Sequence, residues 1–226
     1  MAPTLFGAVA PTLLGHPGTA PSHKSRSARL LMQAFRQARY HRPTNRGTAL
    51  SRLSIILPAK NEAPALADLL PRLRTAHADA EIIVVDDGST DNTAALCAEH
   101  AITCLSSPYS MGNGAAIKRG ARAASGDTLV FMDGDGQHDP ADIARLLAKL
   151  DTGFDMAVGA RDWDGQAGVG RGLANTLYNW LATHITGHKV ADLTSGFRAV
   201  RADKFREFLH LLPNGFSYPT TSTMAF

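Results

Sequence analysis

Short apolar and β-branched segments alternate with segments of helical periodicity between Leu53 and Val158, and this alternation limits the possible folds more than any other feature. It is typical of parallel strands connected by helical crossovers. Strands are predicted over 53–57, 81–85, 102–105, 128–132 and 155–158, and helices over 64–77, 91–100, 114–124 and 140–150. Pro71 is expected to interrupt or bend the first helix. The pattern predicts an α/β fold whose open, mostly parallel sheet is flanked by helices.

The distribution of charge divides the chain. Residues 1–52 hold eight Lys or Arg and no Asp or Glu, whereas the remaining residues hold fifteen basic and twenty acidic ones. A domain with an excess of acidic residues argues against nucleic acid as a partner, because binding to a polyanion depends on clustered Lys and Arg. We therefore expect a basic, disordered leader over 1–50 and one folded domain over 51–226. Its last residues are apolar, so the chain is expected to stop inside a helix.

The leader permits more than one interpretation. Residues 29–40 place Leu30, Leu31 and Phe35 on one helical face with arginines elsewhere, a pattern suited to an anionic membrane surface. A targeting leader or a disordered extension has a similar composition. The sequence contains no run of eighteen apolar residues, so no membrane-spanning helix is predicted. Cys97 and Cys104 lack metal-ligand spacing and are expected to be core residues in a reducing compartment.

Two aspartates follow the fourth predicted strand, in the segment Asp-Gly-Asp-Gly-Gln at 133–137. A strand end of this kind lies where open α/β sheets bind ligands, and the one-residue spacing lets Asp133 and Asp135 approach one hard cation. An EF-hand calcium loop fits poorly, because its sixth and twelfth positions would be His138 and Ala144 instead of Gly and Glu. The two aspartates predict metal or phosphate chemistry.

Two other strand ends supply polar groups to the same edge. The first predicted strand is followed by Pro-Ala-Lys-Asn-Glu at 58–62, and the second by Asp-Asp-Gly-Ser-Thr-Asp at 86–91. Two adjacent aspartates repel each other and require a cationic or hydrogen-bonding ligand. Asp87 is suited to a nucleobase or a ribose. This convergence supports the prediction of a ligand site more strongly than any single segment does.

Helix starts account for several other polar residues. Ser89 or Asp91 is expected to cap the helix that follows it, and Asp139 is expected to cap the helix that begins at Pro140. The segment Met-Gly-Asn-Gly-Ala-Ala-Ile-Lys at 111–118 opens another helix. Its N-terminal N–H groups are suited to a phosphate, while close packing around the glycines is an equally favoured explanation.

The chain resembles a known family through five segments in a fixed order. They are Leu-Pro-Ala-Lys-Asn-Glu at 57–62, Val-Val-Asp-Asp-Gly-Ser-Thr-Asp at 84–91, the segment 111–118, Met-Asp-Gly-Asp-Gly-Gln-His at 132–138 and Asp-Leu-Thr-Ser-Gly-Phe-Arg at 192–198. Together they resemble the family 2 inverting glycosyltransferases, which have the Rossmann-like GT-A fold of nucleotide-diphospho-sugar transferases. The most similar branch comprises the dolichyl and polyprenyl phosphate mannosyltransferases and glucosyltransferases. The resemblance covers roughly residues 53–215.

The resemblance implies a metal-dependent transfer of a hexose from a nucleotide sugar, such as GDP-mannose or UDP-glucose, to a dolichyl or undecaprenyl phosphate. It implies a peripheral enzyme at the cytoplasmic face of a membrane. The implied ligands of Mg²⁺ or Mn²⁺ are Asp133, Asp135 and Gln137. The implied catalytic residues are Asp135, Arg161, Arg171 and Asp192, the arginines serving the acceptor phosphate. The implied nucleotide-sugar-binding residues are Pro58, Glu62, Asp87, Lys118, Asp133, Gln137, Ser195 and Arg198.

The chain departs from the family pattern at three places. Lys60 stands where the family often has Tyr, Asn175 where it has Ser, and Tyr-Pro-Thr at 218–220 where it has Gln-x-Glu. These differences leave the sugar and the acceptor open.

The expected reaction is an in-line attack by a polyprenyl phosphate oxygen, with inversion at the anomeric carbon. A phosphate monoester with a second pKa of about 6 needs no strong base, whereas a sugar hydroxyl would need a carboxylate, for which Asp192 is the candidate. One alternative is a family 2 enzyme of polysaccharide or glycoconjugate synthesis. Another is a non-catalytic nucleotide-binding remnant. A hydride-transferring dinucleotide enzyme is disfavoured, because residues 58–62 occupy the place of its glycine-rich turn.

Overall fold

A computed structural model describes residues 52–159 and 192–226. The strands are β1 Leu53–Ala59, β2 Glu81–Asp86, β3 Thr103–Cys104, β4 Thr128–Phe131, β5 Met156–Val158 and β6 Arg198–Arg201. The helices are α1 Ala63–Ala76, α2 Thr93–Glu99, α3 Asn113–Ala123, α4 Ile143–Asp151, α5 Ala202–Glu207 and α6 Tyr218–Ala225, with a 3-10 helix at Pro140–Asp142. The predicted leader, Arg161, Arg171 and Asn175 lie outside the described residues.

The six strands form one sheet in the order β3-β2-β1-β4-β6-β5. β1 pairs in parallel with β2 and β4, and β2 pairs in parallel with β3. The chain therefore leaves β1 toward one edge of the sheet and returns to the other side of β1 to form β4. In open α/β sheets, a reversal of this kind opens a crevice at the carboxyl ends of the strands, here between β1 and β4.

Helices cover both faces of the sheet, which explains why its central strands are almost continuously apolar. In β1, Ile55 and Leu57 join the core beneath α1, α2 and α4, whereas Ile56 joins the core beneath α3, α5 and α6. The alternation follows from the two-residue period of a strand. None of the helices in residues 52–159 and 192–226 is both long and apolar enough to cross a bilayer.

The predicted α/β fold is confirmed, and the differences from prediction have local causes. Pro71 does not break α1, which runs unbroken from Ala63 to Ala76. Both Pro71 and Ala67 are exposed, so the carbonyl that loses its hydrogen bond to the proline faces water. The predicted helix over 140–150 divides into the 3-10 helix and α4. Asp139 caps its start as expected, because its Oδ1 accepts a hydrogen bond from Ala141 N at 3.0 Å.

Strand β6 was not predicted. Its sequence, Arg-Ala-Val-Arg, is too short and too polar at its ends to be recognised as a buried strand. It lies between β4 and β5 and runs antiparallel to both. Because Arg198 pairs with Phe131, β6 begins beside the carboxyl end of β4. The antiparallel direction therefore brings the preceding residues 194–196 to the edge where the predicted ligand site lies.

Helix α3 approaches the sheet closely at Gly120, and this contact predicts a stability effect. A Cβ atom at Gly120 would lie 2.4 Å from Cγ2 of Ile56 and 3.1 Å from Cγ2 of Val85. We expect Gly120→Val to lower the free energy of unfolding by about 2 kcal/mol, because overpacking a dense core outweighs any gain in helix propensity. Urea denaturation measures the change. Ala123→Val, on the exposed side of the same helix, is the control and should cost less than about 1 kcal/mol. Equal losses in both variants would contradict this packing argument.

Candidate active site

A cavity of about 510 Å³ opens at the carboxyl ends of β1, β2 and β4. This is the crevice that the reversal of the chain between β1 and β4 creates. Its walls come from the strand ends, the start of α3, the segment before β6 and the start of α6. The lining residues are Pro58, Ala59, Lys60, Glu62, Asp87, Ser110, Gly112, Asn113, Ala116, Asp133, Gly134, Asp135, Thr194, Gly196, Phe216 and Pro219.

Negative charge dominates this lining. Four carboxylates, those of Glu62, Asp87, Asp133 and Asp135, face one ammonium group, that of Lys60. An anionic ligand such as a diphosphate would be repelled by these carboxylates unless a cation lay between them. The cavity is therefore suited to a cation or to a cation together with an anion.

Asp133 and Asp135 reach the cavity because the turn after β4 packs closely on the end of β1. Gly134 N donates to Pro58 O at 3.3 Å, and a Cβ atom at Gly134 would lie 3.2 Å from the same oxygen. Asp135 is exposed, and its Oδ1 accepts a hydrogen bond from Gln137 N at 3.1 Å. Asp133 is half-buried. Both aspartates line one cavity, whereas Gln137 is exposed and is not part of the lining.

Gly196 fixes the other side of Asp133. A Cβ atom at this position would lie 2.5 Å from Asp133 Oδ2 and 3.0 Å from Oδ1. Any larger residue here would require the Asp133 carboxylate to move. The segment Thr194–Gly196 thus forms the wall of the cavity beside Asp133.

Glu62 shares the electrostatic environment of Asp135. Partial burial raises the pKa of Glu62, and the negative charges of Asp135 and Asp91 raise it further. The carboxylates at this edge therefore repel one another, and a bound cation would relieve that repulsion.

The carboxylate oxygens of Asp133 and Asp135 fit Mg²⁺ or Mn²⁺. Both ions prefer oxygen ligands, and Mg²⁺ is commonly held by one or two carboxylates together with phosphate oxygens of a substrate. Within residues 52–159 and 192–226, no cluster of three or more His, Cys, Asp or Glu side chains is arranged to hold a metal by itself. Asp133 and Asp135 line one cavity and could each supply carboxylate oxygens to such an ion.

Hydrogen bonds between the loop after β1 and the loop after β2 hold Glu62 at the rim of the cavity. Asn61 adopts a left-handed conformation with φ of 58°, which Asn tolerates better than most residues. Its N–H donates to Ser89 Oγ at 2.9 Å, and its Oδ1 accepts from Thr90 N at 2.8 Å. Asp91 accepts from Ala63 N through Oδ2 and from Thr93 N through Oδ1, each at 3.0 Å.

These hydrogen bonds also bear on the prediction that Ser89 or Asp91 caps the helix that follows. The residue that precedes α2 is Asn92, and its side chain makes no capping hydrogen bond. Asp91 instead binds the first N–H of both α2 and α1, and Ser89 binds Asn61. Asn61 was not predicted as a site residue. The available signal was an Asn immediately after a polar strand end, where a left-handed turn is favoured.

The adjacent aspartates Asp86 and Asp87 find hydrogen-bond donors within the protein. Asp86 Oδ1 accepts from Ser89 N at 2.8 Å. Asp87 accepts from Ser110 Oγ at 2.7 Å, from Met111 N at 2.7 Å and from Gly112 N at 2.9 Å. The expected hydrogen-bonding ligand of this pair is thus supplied by the chain itself. Asp87 also lines the cavity, and its binding to a nucleoside stays a prediction.

The glycine-rich start of α3 is explained by packing. A Cβ atom at Gly114 would lie 2.1 Å from Pro213 O, and one at Gly112 would lie 2.5 Å from Asn214 O. Lys118 Nζ donates to Leu212 O at 2.8 Å and to Asn214 Oδ1 at 2.6 Å. Lys118 therefore fastens residues 212–214 to α3 and does not line the cavity, so the structure does not support its predicted contact with the nucleotide sugar.

The three remaining predicted residues, Asp192, Ser195 and Arg198, are buried and lie outside the cavity lining. Asp192 Oδ1 accepts from Thr194 N and from Thr194 Oγ1, both at 3.0 Å. Ser195 Oγ accepts from Phe197 N at 3.3 Å. These bonds stabilise the turn that presents Gly196 to Asp133.

Arg198 makes its contacts within the protein, and its predicted binding to the nucleotide sugar stays a prediction. Its side chain is fully buried, and it donates to Pro219 O at 3.0 Å, to Ser222 Oγ at 2.5 Å and to Ser195 O. Burial lowers the pKa of Arg198. Arg198 therefore joins α6 to the turn before β6.

The cavity also contains residues that the sequence analysis did not single out as ligand-binding residues. Ser110, Asn113 and Phe216 line it, and Asn113 Oδ1 is a buried acceptor without a partner among the described residues. Ser110 and Phe216 lie in loops and Asn113 begins α3, and the approach of all three to the strand ends depends on long-range packing. Local patterns in the sequence do not reveal such an approach.

The hydrogen bonds to Asp87 predict a pH-dependent contribution to stability. Burial alone would raise the pKa of Asp87, but the hydrogen bonds from residues 110–112 and the charge of Lys60 lower it overall. Its contribution is therefore complete above the unfolded-state pKa of about 3.9 and is lost as the pH falls through the lower folded-state value. We expect Asp87→Asn to reduce the free energy of unfolding by about 1.5–3 kcal/mol near neutral pH, and by less below about pH 4.

Urea denaturation of both proteins at a series of pH values tests this prediction. Asp79→Asn, which changes an exposed carboxylate, is the control and should show no comparable difference. A loss for Asp87→Asn that stayed constant down to pH 3 would indicate a cause other than the ionised carboxylate.

Comparison with known proteins identifies the family. The model of glycosyl transferase family 2 matches residues 54–209. Undecaprenyl-phosphate 4-deoxy-4-formamido-L-arabinose transferase of Salmonella typhimurium is 34% identical over 163 residues, which are 67% of this chain and 49% of that protein. The Proteus mirabilis protein of the same name is 32% identical over 162 residues, with the same coverage of each chain. The chain thus spans about half the length of these relatives.

Solved structures support the same assignment. Glucosyl-3-phosphoglycerate synthase from Mycobacterium tuberculosis in complex with UDP has a TM-score of 0.60 and 26% identity, covering 80% of this chain and 69% of that one. The complex of this synthase with Mn²⁺, UDP and phosphoglyceric acid has a TM-score of 0.59 and 26% identity, covering 80% and 68%. These neighbours have the GT-A fold, as does this chain. By its sequence, its fold and the acidic cavity at the end of its sheet, the chain belongs to glycosyl transferase family 2.

Proposed function

We propose that this protein transfers a sugar from a nucleotide sugar to the phosphate of a polyprenyl lipid, with inversion at the anomeric carbon and with the help of Mg²⁺ or Mn²⁺. The observation that carries the proposal is the cavity between β1 and β4, whose lining includes the carboxylates of Glu62, Asp87, Asp133 and Asp135 and the ammonium group of Lys60. The membership in glycosyl transferase family 2 supports glycosyl transfer as the reaction. The names of the relatives support undecaprenyl phosphate as the kind of acceptor.

The donor would bind with its diphosphate toward Asp133 and Asp135 and its nucleoside toward Pro58, Glu62 and Asp87. Asp133 and Asp135 would hold the divalent cation, and Gln137 keeps its predicted place as a further ligand. When bound there, the cation would neutralise the charge of the departing diphosphate. The carboxylates of this chain would thus hold the cation and orient the leaving group through it.

The acceptor phosphate would need no proton removed before it attacks. Its second pKa of about 6 leaves it largely ionised near neutral pH. The burial of Asp192 and its hydrogen bonds to Thr194 favour such an acceptor over a sugar hydroxyl, because they leave this carboxylate poorly suited to act as a base. The predicted contacts of Arg161 and Arg171 with the acceptor phosphate belong to the same proposal.

The transferred sugar stays open within this proposal. The resemblance in the sequence favours a hexose such as mannose or glucose, whereas the relatives are named for a derivative of arabinose, which is a pentose. A panel of labelled donors that includes GDP-mannose, UDP-glucose and UDP-linked pentoses covers both classes. Location at the cytoplasmic face of a membrane also stays a prediction.

If the aspartates after β4 bind the metal ion, a substitution there should abolish activity without lowering stability. We expect Asp135→Asn to abolish transfer of labelled sugar to polyprenyl phosphate in vesicles and to weaken Mn²⁺ binding at least about tenfold, because the amide carries no charge. The amide oxygen can still accept the hydrogen bond from Gln137 N, so the thermal midpoint should change little. Mn²⁺ binding is measured by electron paramagnetic resonance in the presence of nucleoside diphosphate.

Asp139→Asn is the matched control, since this carboxylate lies in the same turn but caps the 3-10 helix. It should retain both metal binding and transfer. Unchanged turnover in Asp135→Asn would show that the metal assignment is wrong.

Transfer assays with different acceptors distinguish a polyprenyl phosphate transferase from the alternative functions. An acid-labile product that extracts into organic solvent supports a polyprenyl acceptor. A product formed only with soluble sugar acceptors would instead indicate an enzyme of polysaccharide or glycoconjugate synthesis. Nucleotide binding without any transfer, in a chain that carries all its domains, would indicate a non-catalytic remnant.

A further inference from the structure

Large apolar side chains are exposed beside the mouth of the cavity. Among the described residues, five large apolar side chains are strongly exposed, and three of them are Tyr109 at 67%, Met111 at 40% and Phe216 at 86%. We call these three residues the apolar rim. A fourth, Leu211, lies in the same segment of chain as Phe216, and only Phe154 lies elsewhere, after α4.

The apolar rim consists of two loops that are fastened to each other. Ala115 N, in the first turn of α3, donates to Asn214 O at 3.0 Å, and a Cβ atom at Gly112 would lie 3.6 Å from Gly215 Cα. The loop that carries Tyr109 and Met111 is further held by the hydrogen bonds from its backbone and from Ser110 to Asp87. The backbone that carries these exposed side chains is therefore held in place by several hydrogen bonds.

The apolar rim adjoins the cavity directly. Phe216 itself lines the cavity, as do Ser110 and Gly112, the neighbours of Met111. A ligand that enters from solvent beside these loops therefore passes exposed aromatic and methionine side chains.

The two loops of the apolar rim carry no acidic residue of their own, in contrast to the cavity beside them, and basic side chains bind both loops. Residues 105–112 and 208–219 contain no Asp or Glu. Lys118 binds the second loop through Leu212 O and Asn214 Oδ1, Arg119 binds the first through Ser106 O and Ser107 Oγ, and Lys60 lies at the cavity wall. Exposed aromatic side chains bordered by cations are suited to the interface of a bilayer with anionic head groups.

We infer that the apolar rim of Tyr109, Met111 and Phe216 rests on the surface of an anionic lipid bilayer and turns the mouth of the cavity toward it. This inference rests on the proposed function, because a polyprenyl phosphate is available only at a membrane surface. Docking in this orientation lets the acceptor phosphate reach the cavity while its lipid chain stays in the bilayer.

Tryptophan fluorescence at two sites tests this inference in the full chain. Phe216→Trp places a fluorophore on the apolar rim, and Phe154→Trp places one at the distant exposed position. The probe is a vesicle of phosphatidylcholine and phosphatidylglycerol, with and without brominated acyl chains. We expect the added emission of Phe216→Trp to shift to the blue and to be quenched by the brominated lipid, while that of Phe154→Trp is unchanged.

A partition measurement complements the fluorescence. Replacing both Phe216 and Tyr109 by Ser should weaken binding to these vesicles about tenfold, since each change removes apolar area from the interface. Phe154→Ser should weaken it less than about twofold. All of these residues are exposed, so the variants should unfold at the same urea concentration as the unaltered protein.

The inference is wrong if brominated lipid quenches the tryptophan introduced at 216 no more than the tryptophan introduced at 154. This holds both if the protein does not bind the vesicles and if it binds them through another segment. A change in self-association of Phe216→Ser, with no response to vesicles, would indicate a protein interface instead. Because the assay contains no donor, metal or acceptor, it is independent of glycosyl transfer. Loss of transfer activity with intact vesicle contact would contradict the proposed function alone.

Discussion

Carboxylates concentrated at the crevice of the sheet are the constraint on which the rest of this structure depends. The fold gathers the ends of β1, β2 and β4 at one edge, so acidic residues far apart in sequence become neighbours. Like charges in a partly buried site destabilise one another unless donors or cations compensate them. The fold meets this cost in two different ways.

Part of the charge is compensated by the protein itself. Asp87 and Asp91 accept several hydrogen bonds, and the pKa of each is lowered. These bonds join separate loops, so the same interactions that stabilise the charges also set the shape of the cavity. Glu62 is different, because burial and the charges of Asp135 and Asp91 raise its pKa. The part of the edge around Glu62 and Asp135 thus keeps the negative potential that favours a divalent cation.

The sequence was sufficient to predict most of the fold and the centre of the site, for physical reasons. Strand-end acids follow from local patterns, so Asp87, Asp133, Asp135 and Glu62 could be assigned to one edge before any coordinates were known. Arg198 shows the limit of this approach, because its motif does not reveal that long-range packing joins its guanidinium to α6. Asn61, Gly196 and Phe216 likewise depend on which loops meet, and no local period encodes such meetings.

The wall of the cavity formed by residues 194–219 differs in charge from the wall formed by the strand ends. Thr194, Gly196, Phe216 and Pro219 line it, and none of them is charged. At 218–220, where the family commonly has Gln-x-Glu, this chain has Tyr-Pro-Thr, with Tyr218 buried and Pro219 O accepting from Arg198. Among the described residues, this wall therefore contributes no carboxylate to the cavity lining. An acceptor that arrives already ionised, with an apolar tail to lie along exposed aromatic side chains, matches such a wall better than a soluble sugar does.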